Sequence, residues 1–73
     1  MSAVATITRD CRAVRLDSFT LEAVGSVALK EGETVRFLFD GADQDGFDGE
    51  RICIAGQDEA VVAVKPGDLR IHA

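Results

Sequence analysis

Apolar and polar residues alternate along most of this chain with a period of two, the repeat of a β-strand. In TVRFLFD the alternation places Val35, Phe37 and Phe39 on one face. ERICIAG pairs Ile52 with Ile54, AVVAV pairs Val62 with Val64, and DLRIHA pairs Leu69 with Ile71. Each run is short and rich in β-branched or aromatic side chains, which pack well on a pleated surface. The first third is similar but weaker, with AVATITR, then RAVRLD carrying Val14 and Leu16, then SFTLEAV and SVALK. The segment 17 to 25 reads in two ways: a short helix capped by Ser18 and stopped by Gly25, or a strand with Phe19, Leu21 and Ala23 inward. The strand is favoured, because nothing else in the chain has helical periodicity.

Turn chemistry separates the runs. KEGE puts Gly32 where a hairpin needs positive φ. KPGD offers Pro66 then Gly67 at the central positions of a type II turn. Gly25-Ser26 and Gly56-Gln57 read as further, weaker breaks. The pattern predicts an all-β fold: one domain over residues 1 to 73, a small barrel or two-layer sandwich of about six to seven short antiparallel strands. One helical turn near 18 to 24 is the single helical element it allows.

Three runs depart from simple alternation. Behind Phe37 and Phe39 sits Leu38, behind Ile52 and Ile54 sit Cys53 and Ala55, and behind Val62 and Val64 sit Val61 and Ala63. A strand apolar on both sides is buried on both sides. One face meets the domain's own core. The other needs cover, either from residues 1 to 30 or from another molecule, most simply a second copy of the chain.

Size sharpens this point. A chain of 73 residues buries only about 60% of the surface that its unfolded form exposes, so its core is thin. Two cysteines, Cys11 and Cys53, are too few for a disulfide-rich scaffold and read as free thiols. No segment has the basic start and apolar stretch of a leader peptide, and the longest apolar run, AVVAV, is too short to span a bilayer. These features predict a soluble, cytoplasmic protein without membrane contact.

The net charge of −5 lies wholly in the second half, where three basic groups face eight acidic ones. Direct nucleic-acid binding needs a basic surface, and none is predicted here. Five of the eight acids fall in DGADQDGFDGE, residues 40 to 50. Asp43, Asp45, Asp48 and Glu50 could supply oxygens to a divalent ion. The spacing fails the EF-hand rule, however, because Phe47 and Asp48 stand where an acid or amide and then glycine should be. The segment reads first as a solvated hairpin loop, with a weak cation site or an acidic docking patch as alternatives. Phe47 within it favours contact with something apolar.

Catalytic signatures are missing from the sequence. His72 is the only histidine, and no spacing links it to Cys11 or Cys53 as a nucleophile pair or a zinc set. No phosphate-binding glycine pattern occurs. The expected function is therefore a non-catalytic interaction, accessory or regulatory domain without cofactor, homo-oligomeric, with a homodimer as the simplest form. Its contact residues are Leu38, Phe47, Val61 and Ala63, rimmed by the acidic loop. The first alternative is an acidic module that docks on or blocks a basic, nucleic-acid-binding surface of another protein. The second is a weak divalent-cation-binding domain.

Overall fold

The computed structural model describes residues 3–41 and 49–72. Seven strands form: β1 Ala3–Ile7, β2 Cys11–Leu16, β3 Ala23–Leu29, β4 Thr34–Asp40, β5 Arg51–Ala55, β6 Ala60–Val64 and β7 Leu69–His72. A 3₁₀ turn, Pro66–Asp68, precedes β7. All the pairings are antiparallel, in the order β3-β2-β6-β5-β4-β1-β7. The radius of gyration is 10.9 Å, close to the roughly 11 Å expected of a folded chain of this length. Among the described residues no helix is long and apolar enough to cross a membrane.

The sheet curls without closing. Its concave face gathers one core from every strand, including Ile7 on β1, Val35 on β4, Val62 on β6, Leu29 on edge strand β3 and Leu69 on edge strand β7. Two hydrogen bonds carry the ladder of β1 onto the β3–β4 turn: Ile7 N–H donates to Glu33 C=O at 2.9 Å, and Gly32 N–H to Ile7 C=O at 2.8 Å. Thr8 N–H bonds Asp68 C=O at 2.9 Å and ties the same corner to the turn before β7. Gly32 has φ +88°, as the hairpin expectation requires. Among the described residues no polar or charged side chain is buried, so the core is hydrocarbon apart from the Cys53 thiol.

A second, smaller cluster lies on the convex face. Leu16, Ile52 and Ala63 are buried there, with Phe39 and Val61 partly buried around them. Hydrocarbon behind β5 and β6 thus joins a cluster drawn from β2, β4, β5 and β6 of the same sheet. Residues 3–7 do not lie across this face, because β1 takes a place within the sheet between β4 and β7.

Four local expectations are corrected. Phe37 and Phe39 do not share a face: the register shifts between them, pairing Phe37 with Cys53 and Phe39 with Ile52. Leu38 is the extra residue of that β-bulge, and an extra residue reverses the alternation beyond it. Residues 17 to 22 form neither a strand nor a helix. They are the loop of the β2–β3 hairpin, and Phe19 points outward instead of inward. Gly25-Ser26 is not a break but the middle of β3. Finally, Pro66-Gly67 makes a 3₁₀ turn in place of a type II turn, and Gly67 is not among the positive-φ residues that type II geometry demands.

Candidate interaction surface

An open sheet leaves two edges, and their sequences differ sharply. β7 is four residues long and carries Arg70 and His72. Short length and charge are the usual means of blunting an edge. His72 is held laterally, its Nε2 lying 2.7 Å from the Thr6 hydroxyl of neighbouring β1. β3 is seven residues long, reads AVGSVAL and contains no charged residue. Five of its seven residues are exposed, Val27 is half-buried and only Leu29 is buried. One side of β3 pairs with β2. Among the described residues nothing pairs with the other side, which offers its backbone N–H and C=O groups to any strand that can reach them.

The β2–β3 loop is built to hold its shape. The Asp17 carboxylate accepts from Phe19 N–H at 2.8 Å and from Thr20 N–H at 3.0 Å, an Asx turn. Those bonds hold the Asp17 carboxyl below its ordinary pKa of 3.8, the Thr20 bond contributing most. Leu21 N–H closes on Asp17 C=O at 2.8 Å, and Asp17 N–H bonds Glu22 C=O at 2.8 Å. Leu21 sits at φ 60°, a left-handed conformation that costs a non-glycine residue about 1–2 kcal/mol. The result is an ordered turn that carries Phe19 at 94% exposure.

Val24 stands beside it as the extra residue of a second bulge, where the β2–β3 register shifts between Arg15 and Leu16. It is 60% exposed. Val24 also lines a shallow groove with Arg15, Asp17, Asp58, Glu59 and Val61. Arg15 lies 4.0 Å from the Asp58 carboxylate, and Arg36 lies 3.2 Å from Glu59. This end of the domain therefore combines exposed hydrocarbon with a mainly acidic border.

The sequence-derived contact residues are scattered over this frame. Leu38 is at the β4 bulge and 42% exposed. Val61 is half-buried and reaches the groove beside Val24. Ala63, 3% exposed, packs in the convex cluster with Leu16 and Ile52 and presents almost no surface. Leu38 is separated from Val61 and Ala63 by strand β5. Asp43, Asp45, Phe47 and Asp48 lie outside the described residues. Glu50 is half-buried, and its C=O accepts from Gly41 N–H at 2.6 Å, next to the Arg51–Asp40 ion pair that spans β4 and β5.

Neither thiol carries an activating environment. Cys53 is fully buried in the concave core, and burial pushes its pKa up to about 11. Cys11 is half-buried and also shifted upward, chiefly by burial and then by the Asp68 charge. Among the described residues no group of three or more His, Cys, Asp or Glu is placed to hold a metal ion.

Sequence reasoning missed Phe19, Val24 and the free side of β3. The signal was present in EAVGSVALK, a strand-length run with charges only at its ends, Glu22 and Lys30. Compared with protein-family models, curated proteins and solved structures, the chain matches none.

Proposed function

We propose that this chain is a non-catalytic protein-interaction domain that acts by strand addition at β3 and associates with itself. The observation that carries this reading is a seven-residue edge strand with no charge in it and five exposed positions. A long uncharged edge left in water invites uncontrolled pairing. A chain that keeps one without Lys or Pro, and with no cover among the described residues, has a use for it, and strand addition is the recognition mode such an edge supports. Association also helps a small core, because anything that binds only the folded form stabilises it. Sedimentation velocity from micromolar to millimolar concentration tests self-association. A rising mean mass supports it, and a single monomer boundary throughout refutes it.

A second reading is an acidic module that docks on a basic surface of another protein. It is favoured by Phe19, exposed on the same loop as Asp17 and Glu22, while Asp17 also lines a groove with Asp58 and Glu59. An aromatic anchor inside a charged rim is how binding energy commonly concentrates. Pull-down from the source cell, repeated with Phe19→Ala and at raised salt, tests it. Recovery of a Lys- and Arg-rich partner that both changes abolish supports this reading, and recovery unaffected by either refutes it.

A further inference from the structure

β3 is not only free but self-complementary. Reading outward from Ser26, the strand is bounded by Glu22 on one side and Lys30 on the other, at equal distance in sequence. Resting on the self-association reading above, we propose that a second copy of the chain pairs antiparallel along β3, with a two-fold axis through Ser26. In that register Ser26 faces Ser26 of the other copy and Gly25 faces its Val27, while Glu22 of each copy, beyond the bulge at Val24, comes to the Lys30 end of the other. Both ends then close on opposite charges.

Three observations favour this register over its competitors. First, Glu22 and Lys30 have no ion-pair partner among the described residues, so both charges are available. Parallel, in-register pairing sets Glu22 beside Glu22 and Lys30 beside Lys30, and like charges directly opposite each other are destabilising. Second, a Cβ built on Gly25 meets nothing within 4 Å. The cross-strand site beside Gly25 is therefore open, and Val27 of the other copy, half-buried in the single chain, fits it. Third, the remaining positions Ala23, Ser26 and Ala28 are small, so no bulky side chain crowds its cross-strand neighbour. The bulge at Val24 offsets the pleat beyond it, and there the contact is made by the length of the Glu and Lys side chains.

The geometry also sets the stoichiometry. A contact of this kind uses the same patch on both copies and is closed by its two-fold axis. It joins the two sheets into one whose outer edges are both β7, the short strand carrying Arg70 and His72. Assembly stops at two.

A charge swap tests the register. Glu22 and Lys30 are exposed, so their replacement leaves the core intact, and circular dichroism melting of each variant verifies this. Glu22→Lys alone and Lys30→Glu alone each place like charges at both ends of the contact and weaken the dimer by roughly tenfold. The double variant Glu22→Lys/Lys30→Glu restores complementarity and returns the dissociation constant to within a few-fold of the parent. Oxidised Ser26→Cys yields a covalent dimer, mapped by mass spectrometry to residue 26 in both copies. A parent dimer that ignores both single reversals, or a double variant no better than the singles, overturns the register while leaving self-association standing. So does a failure of Ser26→Cys to link through residue 26. A monomer at every concentration overturns both the register and the reading beneath it.

Discussion

Replacing Ile52 with alanine tests whether the chain seals its own convex face. Ile52 is 0% exposed, although it sits on the side of β5 opposite Cys53 and the main core. Its neighbours are Leu16 and Ala63, with Phe39 and Val61 partly covering the rim. The substitution removes about three buried carbons, worth roughly 0.8 kcal/mol each, or about 2.4 kcal/mol in transfer free energy. A cavity that collapses only partly adds up to about 2 kcal/mol, at about 24 cal/mol per Å³. The expected loss is about 2.5–4.5 kcal/mol. A domain of this length has a total stability of only about 4–11 kcal/mol, so the variant forfeits about a quarter of it at the least. Urea denaturation followed by circular dichroism measures it directly, as a lower midpoint with an unchanged slope. In a heat scan the midpoint falls by at least about 10 °C. Ile54→Ala is the internal comparison, since Ile54 lies on the same strand face but is only half-buried; it costs about half as much. If Ile52→Ala costs under about 1 kcal/mol, or no more than Ile54→Ala, the convex cluster is not closed by this chain in solution.

Three further outcomes follow from local chemistry. The Asp17 carboxyl, followed by NMR through an acid titration, has its midpoint below 3.8, because the folded loop donates backbone N–H groups to the charged form. A lowered folded pKa means the stabilisation is present above the ordinary value and disappears as pH falls through the lower one; Asp17→Asn abolishes this pH dependence of melting while keeping the turn. Cys11 reacts with iodoacetamide before Cys53 at pH 8, read by peptide mass spectrometry, since Cys53 is fully buried. Its raised folded pKa protects it below 9.0, and stability drains away as pH climbs from there towards about 11; equal modification of both thiols in the native protein contradicts the burial of Cys53. Gly32→Ala costs about 1–2 kcal/mol in urea denaturation, all of it from the backbone, because φ is +88° and nothing lies within 4 Å of the added Cβ. A cost near zero shows that the β3–β4 turn takes another conformation.

How far the fold was legible depended on where a strand sits in the sheet. The β5 and β6 runs were plain because both stand near the middle of the order β3-β2-β6-β5-β4-β1-β7. Central strands are covered on both faces and flanked on both sides, so they are dense in Val, Ile, Ala and Cys. The Gly32 turn was readable because only one residue type suits its φ. The bulge at Leu38 was not readable, since an inserted residue leaves the composition unchanged and shows only in pairing. The 17 to 22 loop was misread for a related reason. Its Asx turn depends on a single Asp17 oxygen reaching two N–H groups, and period counting is blind to that.

A contact surface is harder to read in sequence than a strand. Surplus hydrocarbon behind β4 to β6 pointed to Leu38, Val61 and Ala63, yet Ala63 is buried against Leu16 and Ile52 within one chain. A strand apolar on both faces reports a central position, and the cover it needs can come from its own neighbours. A free edge reports itself differently. Its side chains are unremarkable, because the groups it presents are backbone, and backbone is the same in every residue. What distinguishes β3 is what AVGSVAL lacks: no Lys, no Pro and no inward charge to deter a partner. β7, at the other end of the same sheet, has Arg70 and His72 within four residues. Both edges face the same hazard, and only β7 meets it with charge and short length, while the one deterrent on β3 is the bulge at Val24, near its start. That asymmetry, more than the hydrophobic content of any face, is the physical ground for placing a partner at β3.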